Sequence, residues 1–292
     1  MSGDAPPSVC VVGAGAMGAQ IAHQAALHGC RSVLVGRSAE RLAAACEETQ
    51  SLLRRRVEKG KLSDQECSEA LARVSTTCNL EEGVAGSDVV VESVAEDRDV
   101  KRAVLQRIGA YARDDAIIGS NSSTIPTSTF ADDVLNPARL LNVHFFNPAM
   151  VMALVEVVPG PHTASWASDR AMAFAAAIGK SPVLVQRESF GFLGNRMLFA
   201  AIAEAMRLAE GRYVSVEDCD SAVRSALGWT MGPFAIADLV GLDVVEAILD
   251  EGFRETGDPQ WVAPQSLRDR VAAGDLGRKT ASGFAISVPA KA

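Results

Sequence analysis

The chain has 292 residues, 48% hydrophobic and 22% charged, and its 28 basic against 36 acidic residues leave a formal charge of −8. That length carries two domains or one large one, each with a substantial core, and the composition excludes a disordered or collagen-like chain. The acidic balance argues against a general nucleic-acid or anionic-membrane surface, and no segment reaches the roughly 18 apolar residues of a membrane span.

The opening MSGDAPPSVC has no basic start followed by an apolar run, so no secretory leader is expected. Six cysteines are scattered without a CxxC pair or paired histidine spacing. They read as reduced structural thiols of a cytoplasmic protein. Short β-branched runs then alternate with helical stretches, the pattern of a parallel sheet covered by helices. The expected strands are Val9–Val12, Ser32–Val35, Asp88–Val91, Ala116–Gly119, Leu140–Phe146, Leu154–Val158 and Pro182–Val185. A helix from Ala16 to His28 closes at Gly29, with His28 suited to the helix dipole. An excursion over about 38–72 reads as two helices, and SDQE at Ser63–Glu66 has the capping-box spacing that starts the second. From Phe190 the chain reads as successive helices, with Ser215 as a cap and Pro233 in a first turn. The fold class is α/β, a Rossmann-type doubly wound sheet with a helical-hairpin insertion over residues 1–187, followed by an all-α domain over 188–292.

The stretch VCVVGAGAMGAQIA places Gly13, Gly15 and Gly18 directly after a buried strand, with Ala16 and Met17 opening the helix. A GxGxxG loop in that context cradles a dinucleotide pyrophosphate: a tight turn, a close backbone approach, and close helix packing, in that order. A glycine-rich turn without a ligand is the plain alternative. About 20 residues on, such sites commonly carry a carboxylate for the ribose 2′-hydroxyl, whereas a nearby arginine accommodates a 2′-phosphate. In VLVGRS that position is Gly36, followed by Arg37 and Ser38. The missing acid favours NADP over NAD as cofactor, and a turn without discrimination is the alternative.

Small polar residues in SNSST, Ser120–Thr124, follow an apolar strand at the end where open sheets place ligand contacts. His144 lies in the apolar LLNVHFFNP and Glu156, twelve residues on, in LVEVV. Both are costly to bury unless paired. They form a structural pair or a general base, since an imidazole beside a carboxylate takes a hydroxyl proton near neutral pH. His23, His28 and His162 read as structural or solvated, and no spacing suggests a metal site.

At NSST, HFFNP, LVEV, GFLGNR and MGPFAIADLVGLD the chain resembles the short-chain L-3-hydroxyacyl-CoA dehydrogenases, over almost its whole length. The resemblance implies a dinucleotide-binding domain with a helical hairpin and an all-helical domain that makes a homodimer. It makes His144 the general base, Glu156 its orienting partner, and Ser123 and Asn195 donors to the substrate oxygen, with Ser122 as second choice for the hydroxyl. It sets Glu96 and Lys101 beside the cofactor. Arg54, Arg55, Lys59 and Lys61 of RRRVEKGK lie where the family meets the nucleotide of CoA. They read either as a solvated helix end or as a seat for phosphates or an acidic acyl carrier protein. Three departures stand out: Gly36 for the usual aspartate, Phe190 for a common proline, and Ala285 for an aromatic residue. The expected reaction interconverts 3-hydroxyacyl and 3-oxoacyl thioesters of CoA or acyl carrier protein. The same fold acting on a free hydroxy acid, of sugar-acid or carnitine type, is the second reading, and a non-catalytic dinucleotide-binding protein the third.

Overall fold

The computed structural model describes residues 6–286. Residues 1–5, on which the leader expectation partly rests, and 287–292 lie outside the described residues. The chain divides into two compact units after Phe192.

In the first unit the elements run β1 (Val9–Val12), α1 (Ala16–Leu27), β2 (Ser32–Val35), α2 (Ala39–Glu58), α3 (Asp64–Ala72), β3 (Val74–Thr77), α4 (Leu80–Ala85) and β4 (Val89–Glu92). They continue with α5 (Arg98–Tyr111), β5 (Ile117–Ser120), β6 (Leu140–Phe145), β7 (Leu154–Pro159), α6 (Ser165–Ala177) and β8 (Ser181–Leu184). Among the described residues the sheet has eight strands in the order β3-β2-β1-β4-β5-β6-β7-β8. The order reverses between β1 and β4, where open α/β sheets bind ligands at the carboxyl ends of the strands.

Two expectations need correction. The sheet is mixed, because β7 runs antiparallel to β6. The short β6–β7 connection carries no crossover helix, and an antiparallel return is what a short turn allows. The strand β3 was also absent from the sequence reading. Its sequence, VSTT, is polar and half-buried, as an edge strand paired only with β2 can be.

Alternation along the strands builds a core on each face. Val9 and Val11 pack with Ile21 of α1 and Phe174 of α6, while Cys10 and Val12 pack with Leu105 and Ile108 of α5. Each such fully buried side chain contributes about 1.5–3 kcal/mol. Helix α1 is buried over most of its length, so it lacks a polar stripe. The capping box at Ser63 and Glu66 is complete. Arg139, fully buried, donates to the carbonyls of Gly109, Ala112 and Arg113, satisfying the end of α5.

The second unit contains α7 (Gly194–Glu210), α8 (Val216–Leu227), α9 (Pro233–Val240), α10 (Leu242–Thr256) and α11 (Gln265–Ala273). Ser215 caps α8 through the Asp218 amide, and Pro233 stands in the first turn of α9. Two buried carboxylates take up backbone amides, Asp220 in place of a missing cap and Asp238 from the C-terminal segment. Asp220 accepts from the Phe234 and Ala235 amides at the start of α9. Asp238 accepts from the amides of Phe284, Ala285 and Ile286, so Ala285 contributes its backbone while its side chain is exposed. No helix among the described residues is long and apolar enough to cross a membrane.

Candidate active site

The reach of the sheet sets the first pair. His144 on β6 and Glu156 on β7 stand directly opposite each other in the antiparallel register. The imidazole Nδ1 lies 2.8 Å from Glu156 Oε2, and the carboxylate is fully buried while His144 is 5% exposed. With Nδ1–H donating to the carboxylate, Nε2 carries the lone pair. No protein group among the described residues bonds Nε2. Phe146 and Phe192 flank the ring at centroid distances of 4.5 and 5.8 Å. They surround the imidazole with apolar surface, where a charge partner acts more strongly than in water.

The SNSST loop is tied to that pair through Asn121, whose Oδ1 accepts from the Phe145 amide at 2.8 Å. Its two candidate hydroxyls differ. Ser122 is fully buried and donates to Glu96 Oε1. Ser123 gives only its amide to Glu96 and is half-exposed, which leaves its hydroxyl available. Asn195 lies in the first turn of α7, in the second unit.

On the cofactor side, the three loop glycines answer to different constraints. Gly13 sits at φ +129°, and a Cβ there would meet Ser93 O at 2.2 Å; one on Gly18 would meet Gly13 O at 1.9 Å. Those two positions are fixed by the protein's own backbone. A Cβ on Gly15 would meet nothing within 4 Å. Packing therefore does not require a glycine at 15, whereas a phosphate drawn onto the start of α1 does. Helix α1 begins with Ala16 and Met17 after Gly15, without a side-chain cap. Its first amides remain open to an anion. The residues present fit a dinucleotide.

Gly36 follows directly on β2, and a Cβ there would meet the side chains of Ala14 and Leu42 at 2.9 Å. Arg37 is exposed, and Ser38 caps α2 by accepting from the Arg41 amide. Glu96 and Lys101 belong to a network that the sequence reading did not contain. The Lys101 ammonium, 1% exposed, lies 2.9 Å from Glu92 and 3.1 Å from Glu96. Glu92, fully buried, also accepts from the Ser120 hydroxyl and the Val94 amide. Burial alone would raise the Glu96 carboxyl, yet the Lys101 charge and the Ser122 hydrogen bond hold it below its ordinary value. The signal for Glu92 was present: an acid ending the apolar run VVVE needs a partner for the same reason His144 does.

The remaining candidates separate cleanly. Arg54, Arg55, Lys59 and Lys61 are exposed around the end of α2. His23, His28 and His162 each bond a backbone carbonyl through the ring. Burial pushes the Cys10 thiol up to about 12 and Cys30 to about 11, which makes both unreactive. No group of three or more His, Cys, Asp or Glu among the described residues is placed to hold a metal.

Residues 8–189 match the family described as the NAD-binding domain of 3-hydroxyacyl-CoA dehydrogenase, and residues 191–287 match its C-terminal domain. The chain is 35% identical over 282 residues to 3-hydroxybutyryl-CoA dehydrogenase of Mycobacterium tuberculosis, covering 96% of this chain and 98% of that one. It is 35% identical over 283 residues to human mitochondrial hydroxyacyl-coenzyme A dehydrogenase, covering 94% and 90%. The crystal structure of (S)-3-hydroxybutyryl-CoA dehydrogenase from Ralstonia eutropha superposes with a TM-score of 0.91 at 33% identity, over 98% of this chain and 100% of that one.

Proposed function

The chain belongs to the 3-hydroxyacyl-CoA dehydrogenase family, and from that premise we propose that it interconverts 3-hydroxyacyl and 3-oxoacyl thioesters with a nicotinamide dinucleotide. The observation that carries the reading is the buried contact between His144 Nδ1 and Glu156 at 2.8 Å, which leaves Nε2 as a base. A nicotinamide dinucleotide held at the Gly13–Gly18 loop would supply the hydride chemistry. His144 takes the proton of the 3-hydroxyl in oxidation and gives it back in reduction. Glu156 fixes the tautomer and stabilises the imidazolium as it forms. Ser123 and Asn195 donate to the substrate oxygen, and Ser122 positions Glu96. Gly13, Gly15, Ala16, Met17 and Gly18 receive the pyrophosphate, with Glu96 and Lys101 ordering the neighbouring loop.

NADP is the preferred cofactor in this reading. Its support is the absent carboxylate at Gly36 beside the exposed guanidinium of Arg37. A charge-assisted hydrogen bond of roughly 1.5 kcal/mol at an exposed site gives about a tenfold preference. Gly36→Asp would force Leu42 and Ala14 to shift, so Arg37→Ala is the cleaner probe. It lowers kcat/KM with NADPH about tenfold and leaves NADH near its starting value. An unchanged ratio of the two cofactors removes Arg37 from the 2′ position.

Arg54, Arg55, Lys59 and Lys61 are assigned to the phosphates of CoA or to an acidic carrier protein, and neutralising them raises the thioester KM. If that KM does not move, the second reading gains: the same fold acting on a free hydroxy acid. A homodimer through the C-terminal helical unit is supported by apolar side chains that unit leaves exposed, among them Met197, Leu227 and Phe253. A single-chain mass by light scattering counts against it. The six free cysteines support a reducing, cytoplasmic setting, and fractionation with the secreted material would remove it. The decisive assay is NADPH or NADH oxidation with acetoacetyl-CoA and a carrier-protein counterpart. No turnover with either cofactor at high enzyme concentration would falsify the dehydrogenase reading and leave a dinucleotide-binding protein.

A further inference from the structure

A buried cation that the mechanism above does not use is Lys180, immediately before β8. It is 8% exposed, and its ammonium donates to two carbonyls, Ala149 O at 2.5 Å and Met152 O at 2.9 Å. Those carbonyls lie on either side of the apex of the turn joining β6 to β7. The turn is closed on itself by the Val151 and Met152 amides, both donating to Pro148 O. It starts just after His144 and ends just before Glu156. The ammonium therefore bridges the two legs of the connection whose strands carry the base and its carboxylate.

A second contact system holds the same turn. Met150 packs with Leu53 of α2 and Cys67 of α3, and its amide donates to Gln20 of α1. An apolar side chain filling the Lys180 site would avoid the desolvation of an ammonium. Burial and the neighbouring Arg56 both push Lys180 below its ordinary value, so the site is unfavourable to the charge it holds. What the ammonium supplies, and a methyl group does not, is directional bonding to both legs at once.

We propose that Lys180 is a positioning residue for the dehydrogenase reaction: by clamping the β6–β7 turn it keeps His144 and Glu156 in their opposed register and couples that pair to the α2–α3 hairpin. The inference rests on the dehydrogenase reading. A failure of that reading appears as no turnover in the unsubstituted protein, and a failure of the inference as undiminished turnover in the variant.

The test uses Lys180→Met in the full chain, assayed at a temperature well below the unfolding of both proteins. Loss of register at the pair lowers kcat by about tenfold to a hundredfold, the scale of a small misplacement of catalytic groups. NADPH affinity, read by fluorescence titration, stays within about twofold, and the thioester KM moves much less than kcat. A purely structural lysine would lower Tm without that selective loss of kcat. A folded Lys180→Met protein with kcat within about twofold of the parent overturns the proposal, whatever its Tm. Where Lys180→Met does not fold, Lys180→Gln carries the same readouts. Its amide nitrogen carries two N–H donors but ends one bond short of the lysine Nζ, so the ammonium's bonds to both carbonyls are not reproduced; a lowered kcat at unchanged cofactor affinity supports the clamp and an unchanged kcat overturns it.

Discussion

Two buried acid–base centres sit at the carboxyl-end side of one sheet, and they are built for opposite ends. In one, Glu156 faces an imidazole across two neighbouring strands, at 2.8 Å. In the other, Glu92 and Glu96 share the ammonium of Lys101. The first partner is an imidazole that turns one ring nitrogen to the carboxylate; the second is an ammonium shared by two carboxylates. In the first centre each residue belongs to a strand of the sheet, and Lys180 donates to the turn that joins those strands. The second ties a strand end, a loop and a helix together. The difference in partner separates the two, although each contains a fully buried carboxylate, Glu156 in one and Glu92 in the other.

Replacing His144 breaks the first centre at its chemistry. His144→Gln retains a donor facing Glu156 and keeps the volume nearly constant, so folding is preserved. It removes the base, and kcat/KM falls about a hundredfold to ten-thousandfold, the usual contribution of a general acid–base. A loss below about tenfold, measured with saturating cofactor, would assign the pair a structural role instead. Replacing Lys101 breaks the second centre at its stability. Lys101→Met leaves Glu92 buried without its cation, and loss of one partner of a buried ion pair costs about 3–5 kcal/mol. Denaturant unfolding should show that loss in the midpoint. A variant as stable as the parent would mean that Ser120 and the Val94 amide satisfy Glu92 alone.

The two centres also differ in how far the sequence discloses them. His144 and Glu156 stand out because each interrupts an apolar strand, and a polar residue in such a run demands a partner. The glycine loop is legible for a related reason: strand, turn and helix occur in the order that the pyrophosphate site requires. Lys101 gives no comparable signal. It lies on α5 among polar neighbours, in RDVKR, and only the tertiary placement of the helix buries it. Strand β3 was missed because an edge strand keeps solvent on one side and needs no apolar run. The antiparallel β7 was missed because LVEVV reads the same in either direction, and direction is set by the length of the turn before it. Lys180 is invisible for the simplest reason, since its acceptors are backbone carbonyls, which carry no sequence mark.

The smallest effect tests how the scaffold centre responds to acid. Glu96 is held below its ordinary value against the opposing effect of burial, chiefly by the Lys101 charge and then the Ser122 hydrogen bond. A carboxyl depressed in the folded state contributes stability that is complete above the unfolded value, about 4.3 for glutamate. That contribution disappears as pH falls through the lower folded value. The Tm gap between the parent and Glu96→Gln is therefore full at neutral pH, begins to close below about pH 4.3, and vanishes at lower pH. Its size is of the order of 2 °C, because the Glu96 side chain is 39% exposed and solvent screens the pair. Comparing the two proteins at each pH cancels the titration of every other carboxylate they share. A gap that stays constant from neutral pH to pH values well below 4.3 would mean that the hydrogen bonds to Ser122 and Thr124, rather than the charge on Glu96, hold the loop. In that case Glu96 would act as a neutral acceptor, and the ionic character of the second centre would rest on the contact between Glu92 and Lys101 alone.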